Sequence, residues 1–399
     1  MNTVPNRKKH PLVVLLERHS FLFSLVLFAV FYLCVDRLLN EYYLPDAKGI
    51  ENSYYHHGLR KNFQGTVSWG EEKHRLFTND LGFKDNENRV VPRKADKRRA
   101  LFIGDSFTEG AGLPFEQTFV GMFRKAHPEL DVLNAGVVSY SPKLFYYRLK
   151  YLLEIEKLRF DELIVFIDIS DISDEIEYSI YTPVEESFLR RLDAWLRSIS
   201  FTYKMLRKNL LNVEKNTTLR NLIQKIDAGK AVSQQQPDKG GTSHTELSSG
   251  NQQIGVTTTG LPQVTMPMDF RDKRVLERPR WTFDKSIYEK WGQAGMALAK
   301  YHMDLVVRLM KERDIPMTIA VYPWPDQIRA GDRHSIQEVE WRRFSEERGI
   351  GFISYFDGFV SDDPEEIIRK YFIPGDVHWN KQGHALVFQK LDELSRVPQ

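Results

Sequence analysis

The sequence predicts an α/β fold: a parallel sheet covered by helices on both faces, a three-layer α/β/α sandwich with five strands. Three observations predict it. From Arg99 onward, short apolar runs alternate with longer stretches of helical periodicity. The apolar runs are only three to six residues long and carry Val, Ile, Leu and Phe without a polar alternation, as strands buried on both faces do. Two of the turns after such runs are rich in Gly, Asp, Ser and Pro, which suits loops at the carboxyl edge of a sheet.

The five expected strands are Ala100–Ile103, Val132–Asn134, Leu163–Asp168, Met317–Tyr322 and Gly351–Ser354. Helical patterns run over Thr118–Ala126, Leu144–Glu156, Ile287–Arg313, Glu338–Arg348 and Lys381–Ser395. Strand–helix alternation of this kind reads as a doubly covered parallel sheet.

Before the sheet lies a different kind of segment. Phe21 to Val35 reads FLFSLVLFAVFYLCV, extended to Leu39 if Asp36 and Arg37 reach the interface. It is long enough for one bilayer span, and Arg7, Lys8, Lys9 and Arg18 precede it. The positive flank puts the N-terminus in the cytoplasm. No small-residue cleavage pattern follows, so residues 21–39 read as an uncleaved signal anchor. The expected layout is a cytoplasmic 1–20, an anchor 21–39, and an extension 40–97 packing on the catalytic domain. That domain then runs over 98–175 and 284–399 around an insertion, 176–283. The expected location is the cell inner membrane, single-pass, with the catalytic domain in the periplasm or extracytoplasmic space.

The insertion has two parts. An amphipathic helix over 187–211 carries a basic face, suited either to a membrane surface or to packing on the sheet domain. A Gln-, Ser-, Thr- and Gly-rich stretch over 212–267 has too few large apolar residues for a core and reads as a mobile polar loop. The insertion leaves the sheet just after Ser170–Asp171, so it is expected to border the site mouth as a lid or acceptor platform.

Composition excludes several function classes. Of 399 residues, 42% are hydrophobic and 28% charged, and the formal net charge is only +2. That balance argues against a nucleic-acid partner. The single cysteine, Cys34, excludes an intrachain disulfide and a cysteine-based zinc site, and no metal or other cofactor is implied. The lack of disulfides suits a bacterial envelope.

The chemistry lies in two short segments. LFIGDSFTEGAGL, Leu101 to Leu113, ends a strand in Gly-Asp-Ser, where Ser106 is either an activated nucleophile or part of an ordinary turn. A nucleophilic serine needs a base. Of eleven histidines, His10, His19, His56, His57, His74, His127, His244, His302 and His334 lack ligand-like or relay-like spacing, and His384 falls inside a helical pattern, where it caps or packs. His378 differs. It lies in YFIPGDVHWNKQGH, in a Pro-Gly loop two residues after Asp376, a carboxylate able to hold the imidazole.

Together IGDSFTEGAGL and GDVHWNKQGH resemble the SGNH (GDSL-type) hydrolase superfamily, and more particularly its membrane-anchored bacterial envelope esterases and O-acyltransferases. TNDLGFKD, VLNAGVVSYSP and VYPWP fit the same pattern, and the resemblance covers roughly Leu76–Ser173 and Ile315–Leu394. It implies a flavodoxin-like sheet and a Ser-His-Asp triad of Ser106, His378 and Asp376. The family's usual acid stands three residues before the histidine; here that place is Gly375, and Asp376 stands two before. The implied oxyanion hole combines the Ser106 N–H, Ser139 at the family's glycine position and Ser170 at its asparagine position. The implied substrate is an acyl ester or acyl donor, and the implied partner a cell-surface polysaccharide. The expected function is an O-acetyltransferase or acetylesterase. A catalytically silent polysaccharide-binding or scaffold module is the alternative that the serines at 139 and 170 leave open. Trp324 and Trp379, on loops of the same edge, either stack on sugar rings or pack.

Overall fold

The computed structural model describes residues 19–43, 50–183, 192, 195–196, 199–213, 255–256, 262–263, 277–359 and 363–395. It divides into two compact units, Met1–Pro45 with Glu186–Gly250, and Asp46–Glu185 with Asn251–Gln399.

In the first unit, helix α1 (Ser20–Tyr43) is long and apolar enough to cross a bilayer, with a mean hydropathy of 2.1 over Ser20–Asn40. Its apolar side chains are mostly exposed, as in a segment made for a non-aqueous surround. Asp36 does not reach outward to an interface. It is buried, and its Oδ1 accepts from Thr202 N at 2.7 Å and Thr202 Oγ1 at 2.6 Å. Tyr32 also donates its hydroxyl to Thr202 Oγ1, at 2.8 Å. Thr202 lies in the first turn of a second helix of this unit (Phe201–Val213), so the carboxylate meets one of the N–H groups that a helix start leaves unpaired. The insertion's expected helix is therefore described from Phe201 and lies on α1. Most of its 187–200 part and most of the expected loop at 212–267 lie outside the described residues; within that stretch Gly255–Val256 pairs antiparallel with Pro262–Gln263.

The second unit is built on one sheet of eight strands. In chain order they are β1 (Gln64–Trp69), β2 (Glu72–Thr78), β3 (Lys84–Asp85), β4 (Arg99–Ile103), β5 (Asp131–Asn134), β6 (Glu162–Ile167), β7 (Met317–Val321) and β8 (Gly351–Ser354). Their spatial order is β8-β7-β6-β4-β5-β3-β2-β1. The last five in sequence are mutually parallel, and their starts fall within a residue of the expected ones. The expectation of five strands is corrected to eight. The 40–97 stretch adds β1–β3, antiparallel, on the β5 side of the sheet. These strands escaped notice because β1 alternates exposed and half-buried residues and is only weakly apolar.

The parallel strands follow the order 2-1-3-4-5. The chain thus reverses direction between its first and third parallel strands, β4 and β6, and the crevice at such a reversal is where open α/β sheets bind ligands. With right-handed crossovers, helix α2 (Ser106–Glu109) and α3 (Phe119–Ala126) follow β4 on one face, and α4 (Pro142–Glu154) follows β5 on the other. Phe119 and Phe123 of α3 meet Phe102 of β4, at centroid distances of 6.0 and 5.5 Å. Helix α4 packs with α5 (Ser170–Glu177) and α6 (Gln293–Lys311) on the opposite face. The closing helix, α7 (Lys381–Ser395), packs on α3.

β4 is buried throughout, and its one charge is fully used. Arg99 donates to Asp131 at 2.7 Å, to Arg159 O at 2.8 Å and to Pro92 O at 2.7 Å. A buried guanidinium is tolerated on those terms, and here it ties β4 to β5 at the edge away from Ser106.

Candidate active site

Ser106 follows directly from how β4 ends. Gly104 sits so close to its neighbours that a Cβ there would lie 2.8 Å from Phe166 O and closer still to Thr108. Only glycine lets the chain pass from β4 beside β6 at this point. Asp105 then caps the short helix α2: its Oδ1 accepts from Phe107 N at 2.9 Å. Ser106 is the first residue of that helix, so its own N–H has no helical partner. Gly136, in the loop after β5, approaches the same turn, and a Cβ there would lie 2.4 Å from Glu109 N. The loops after β4 and β5 are thus pressed together at the carboxyl edge.

His378 comes from the loop before α7, and the structure brings it to Ser106. Its Nε2 lies 2.7 Å from Ser106 Oγ, and its Nδ1 lies 2.6 Å from Asp376 Oδ1. Asp376 Oδ1 also accepts the His378 backbone N–H at 3.1 Å, which is why two residues of separation suffice. Gly375, at φ +73°, supplies the left-handed turn that precedes it. Ser106 and His378 are both buried. Burial pushes the Asp376 carboxyl up, but the hydrogen bonds from His378 and from Trp69 outweigh it and hold the group well below the usual carboxylate range.

Trp69 was not foreseen. It ends β1, and its Nε1 donates to Asp376 Oδ2 at 2.7 Å while its ring stands edge-on to His378, with centroids 4.8 Å apart. Phe107 packs on His378 as well, at 4.7 Å.

The other expected donors are placed as follows. Ser139 stands in the turn after β5 with φ +59°, in the left-handed region. Neither the Ser139 nor the Ser106 backbone N–H has a hydrogen-bond partner among the described residues. Ser170 begins α5 after β6, and its N–H and hydroxyl both donate to Asp168 Oδ1, at 2.6 and 2.7 Å. A hydroxyl has one proton, and Ser170 gives it to Asp168.

Asp168 belongs to a buried carboxyl group of three with Asp105 and Asp171, whose oxygens lie within 4.8 Å of one another. This is the one place among the described residues where side chains could gather round a metal ion. Yet both oxygens of Asp168 and Oδ1 of Asp105 already accept protein hydrogen bonds, from Ser170, Asp171 and Trp324 and from Phe107 and Tyr322, while Asp105 Oδ2 lies 3.0 Å from Ser106 Oγ. Burial, and then the neighbouring Asp168 carboxylate, push Asp105 and Asp171 well above the usual range. Carboxyls that keep a proton can share it with Asp168, which relieves the repulsion within the cluster.

Trp324 donates to Asp168 Oδ2 at 2.9 Å and is almost wholly buried. Trp379 is fully buried, stacked on Phe359 at 5.8 Å. Both pack; neither offers a face to a sugar ring. His384 is buried in α7 and accepts from Phe119 N, the first N–H of α3, at 3.2 Å. Burial, then the charges of Lys84 and His378, push it down to about 3, so it remains a neutral acceptor.

No family model matches the chain, and no curated protein matches it. Solved structures do. A putative lipolytic protein of the G-D-S-L family from Desulfitobacterium hafniense is similar at 12% identity, covering 75% of this chain and 99% of that one, with a TM-score of 0.38. A lipolytic G-D-S-L family member from Veillonella parvula gives 12%, 75%, 100% and 0.35 in the same measures. A mutant acetyl-xylooligosaccharide esterase from Geobacillus gives 10%, 77%, 98% and 0.36. In its 2-1-3-4-5 sheet order and in its Gly-Asp-Ser and Asp-Val-His motifs, the chain resembles the SGNH (GDSL-type) hydrolases.

Proposed function

We propose that the chain is a serine-dependent acyl-ester enzyme in which Ser106 is the nucleophile, His378 the general base and Asp376 the acid that holds it. The observation that carries this reading is the unbroken run of short hydrogen bonds from Ser106 Oγ to His378 and on to Asp376. Ser106 Oγ attacks the ester carbonyl as His378 Nε2 takes its proton; Asp376 stabilises the imidazolium. The oxygen that becomes negative is met by the Ser106 and Ser139 N–H groups, neither of which has a hydrogen-bond partner among the described residues. Ser170 joins them only by turning its hydroxyl away from Asp168. His378 then returns the proton to the leaving alcohol, and an acyl-Ser106 remains. Water or a sugar hydroxyl, deprotonated by His378, releases the acyl group.

The acyl group in this proposal is acetyl, and the carrier or acceptor a cell-surface polysaccharide. The support is positional: α1 is long and apolar enough to anchor the chain in a membrane, with the basic residues on its N-terminal side. The catalytic unit then faces the envelope. The test incubates the full chain in detergent with 4-nitrophenyl acetate, with and without acetyl-free oligosaccharides. Nitrophenol release to water alone marks an esterase; acetylated oligosaccharide marks a transferase. Turnover equal in wild type and Ser106→Ala would sink both.

A further inference from the structure

His57 stands in a small hairpin, Ile50–Asn52 paired with His56–Gly58, and takes no part in the relay. Its Nε2 lies 2.8 Å from the carbonyl oxygen of Val138. The N–H of the same Val138 donates to Glu109 Oε2 at 3.1 Å. Glu109 ends α2, three residues after Ser106. Val138 is therefore gripped at both of its backbone polar groups.

The His57 ring is itself fixed. Its Nδ1 lies 2.7 Å from Nδ1 of His56, and its ring meets Tyr140 edge-on at 5.1 Å. Tyr140 in turn donates its hydroxyl to the His57 backbone oxygen at 2.6 Å. Because Val138 O can only accept, His57 Nε2 carries the proton and Nδ1 accepts from His56. Burial pushes the His57 pKa down, which favours that neutral form.

The residue after Val138 is Ser139, whose left-handed backbone costs a serine roughly 1 kcal/mol and needs holding. The peptide joining the two is trans, since the described residues contain no cis bond. In a trans peptide the C=O and the next N–H point to opposite sides. With the Val138 carbonyl turned onto His57, the Ser139 N–H is turned the other way, and there it meets no acceptor among the described residues.

We infer that His57, together with Glu109, is a positioning residue that clamps the Val138–Ser139 peptide so that the Ser139 N–H faces the oxyanion formed at Ser106. This rests on the serine-enzyme reading above and adds to it the device that aims one donor. Without the clamp the peptide can rotate, and the Val138 carbonyl oxygen would then approach the developing negative charge.

The experiment measures kcat and KM for 4-nitrophenyl acetate with the full chain in detergent. It compares wild type, Ser106→Ala, His57→Phe and His57→Gln. Phenylalanine keeps the ring and loses the donor; glutamine places an amide N–H near the position of Nε2. The expected result is a fall in kcat of about 10- to 100-fold for H57F with KM nearly unchanged, and a recovery to within about threefold of wild type for H57Q. If H57F does not fold, H57N, whose amide is too short to reach Val138, provides the same contrast. An H57F (or H57N) enzyme with kcat within about threefold of wild type overturns the clamp, as does an equal fall in H57F and H57Q. A wild type without turnover, or one matched by Ser106→Ala, overturns the serine reading itself and the clamp with it.

Discussion

Trp69 donates its indole N–H to Asp376 Oδ2 at 2.7 Å, while the other oxygen of that carboxylate takes His378. The hydrogen bond joins β1, from the N-terminal extension, to the loop that precedes the last helix. It leaves both Asp376 oxygens occupied and the carboxylate with one orientation. Trp69→Phe keeps the ring beside His378 and removes the donor. A hydrogen bond to a charged group contributes on the order of 1.5–3 kcal/mol, so kcat is expected to fall by about 10- to 150-fold. Steady-state kinetics on 4-nitrophenyl acetate check this, with Trp69→Tyr as a variant that retains a polar edge.

Asp376→Asn tests the acid. Its carboxylate is held ionised well below the usual range, so it stays charged at every pH at which the chain is folded and active. The acid limb of the rate profile is therefore expected not to report Asp376. The asparagine variant loses the negative charge and presents an N–H where His378 Nδ1–H needs an acceptor, and kcat is expected to fall by about 10³- to 10⁴-fold. A pH–rate profile of the wild type and single-pH kinetics of the variant measure both.

Asp171 gives a stability prediction with a definite sign. Its folded-state pKa is raised, by burial first and then by Asp168 and Asp105. The folded protein thus binds more protons than the unfolded chain as pH climbs above the ordinary aspartate value of about 3.9. Stability contributed by this group is full below that value and is lost as pH rises towards the folded pKa. Asp171→Asn keeps the shape and a donor but cannot ionise. Thermal melts from pH 5 to pH 9 are expected to fall less steeply for the variant than for wild type.

His384→Leu separates structure from chemistry. It removes the acceptor of Phe119 N and leaves a buried N–H unpaired, which costs about 1–3 kcal/mol. The melting temperature is expected to drop by several degrees, with kcat per folded molecule unchanged. Differential scanning calorimetry and active-site titration measure the two.

Much of this was legible because parallel strands are buried on both faces. Runs such as Leu163–Ile167 have no polar register to disguise them, and their starts were placed almost to the residue. Ser106, Asp376 and His378 were legible because each sits in a short segment whose glycines and spacing are set by the turn itself. Trp69 was not. β1 alternates between an exposed and a half-buried face, and its value to the site depends on a partner 307 residues away. Asp36 was read as reaching for an interface because nothing local foretold Thr202, which arrives from 166 residues downstream. His57 was passed over for the same reason: its partner is a backbone carbonyl, and a carbonyl leaves no mark in a sequence. For Trp324 and Trp379 the loop composition leaves sugar stacking and packing equally open. Their burial is decided by Asp168 and Phe359, contacts that only the folded chain supplies.

The central claim is that Ser106 becomes acylated. The most direct measurement treats the full chain with a fluorophosphonate ester or a slow-releasing acyl ester, then maps the modified peptide by mass spectrometry. The account predicts one label, on Ser106, lost in His378→Ala and absent from Ser106→Ala. A label on another residue, or an unlabelled Ser106 in an enzyme that turns ester over, would contradict it.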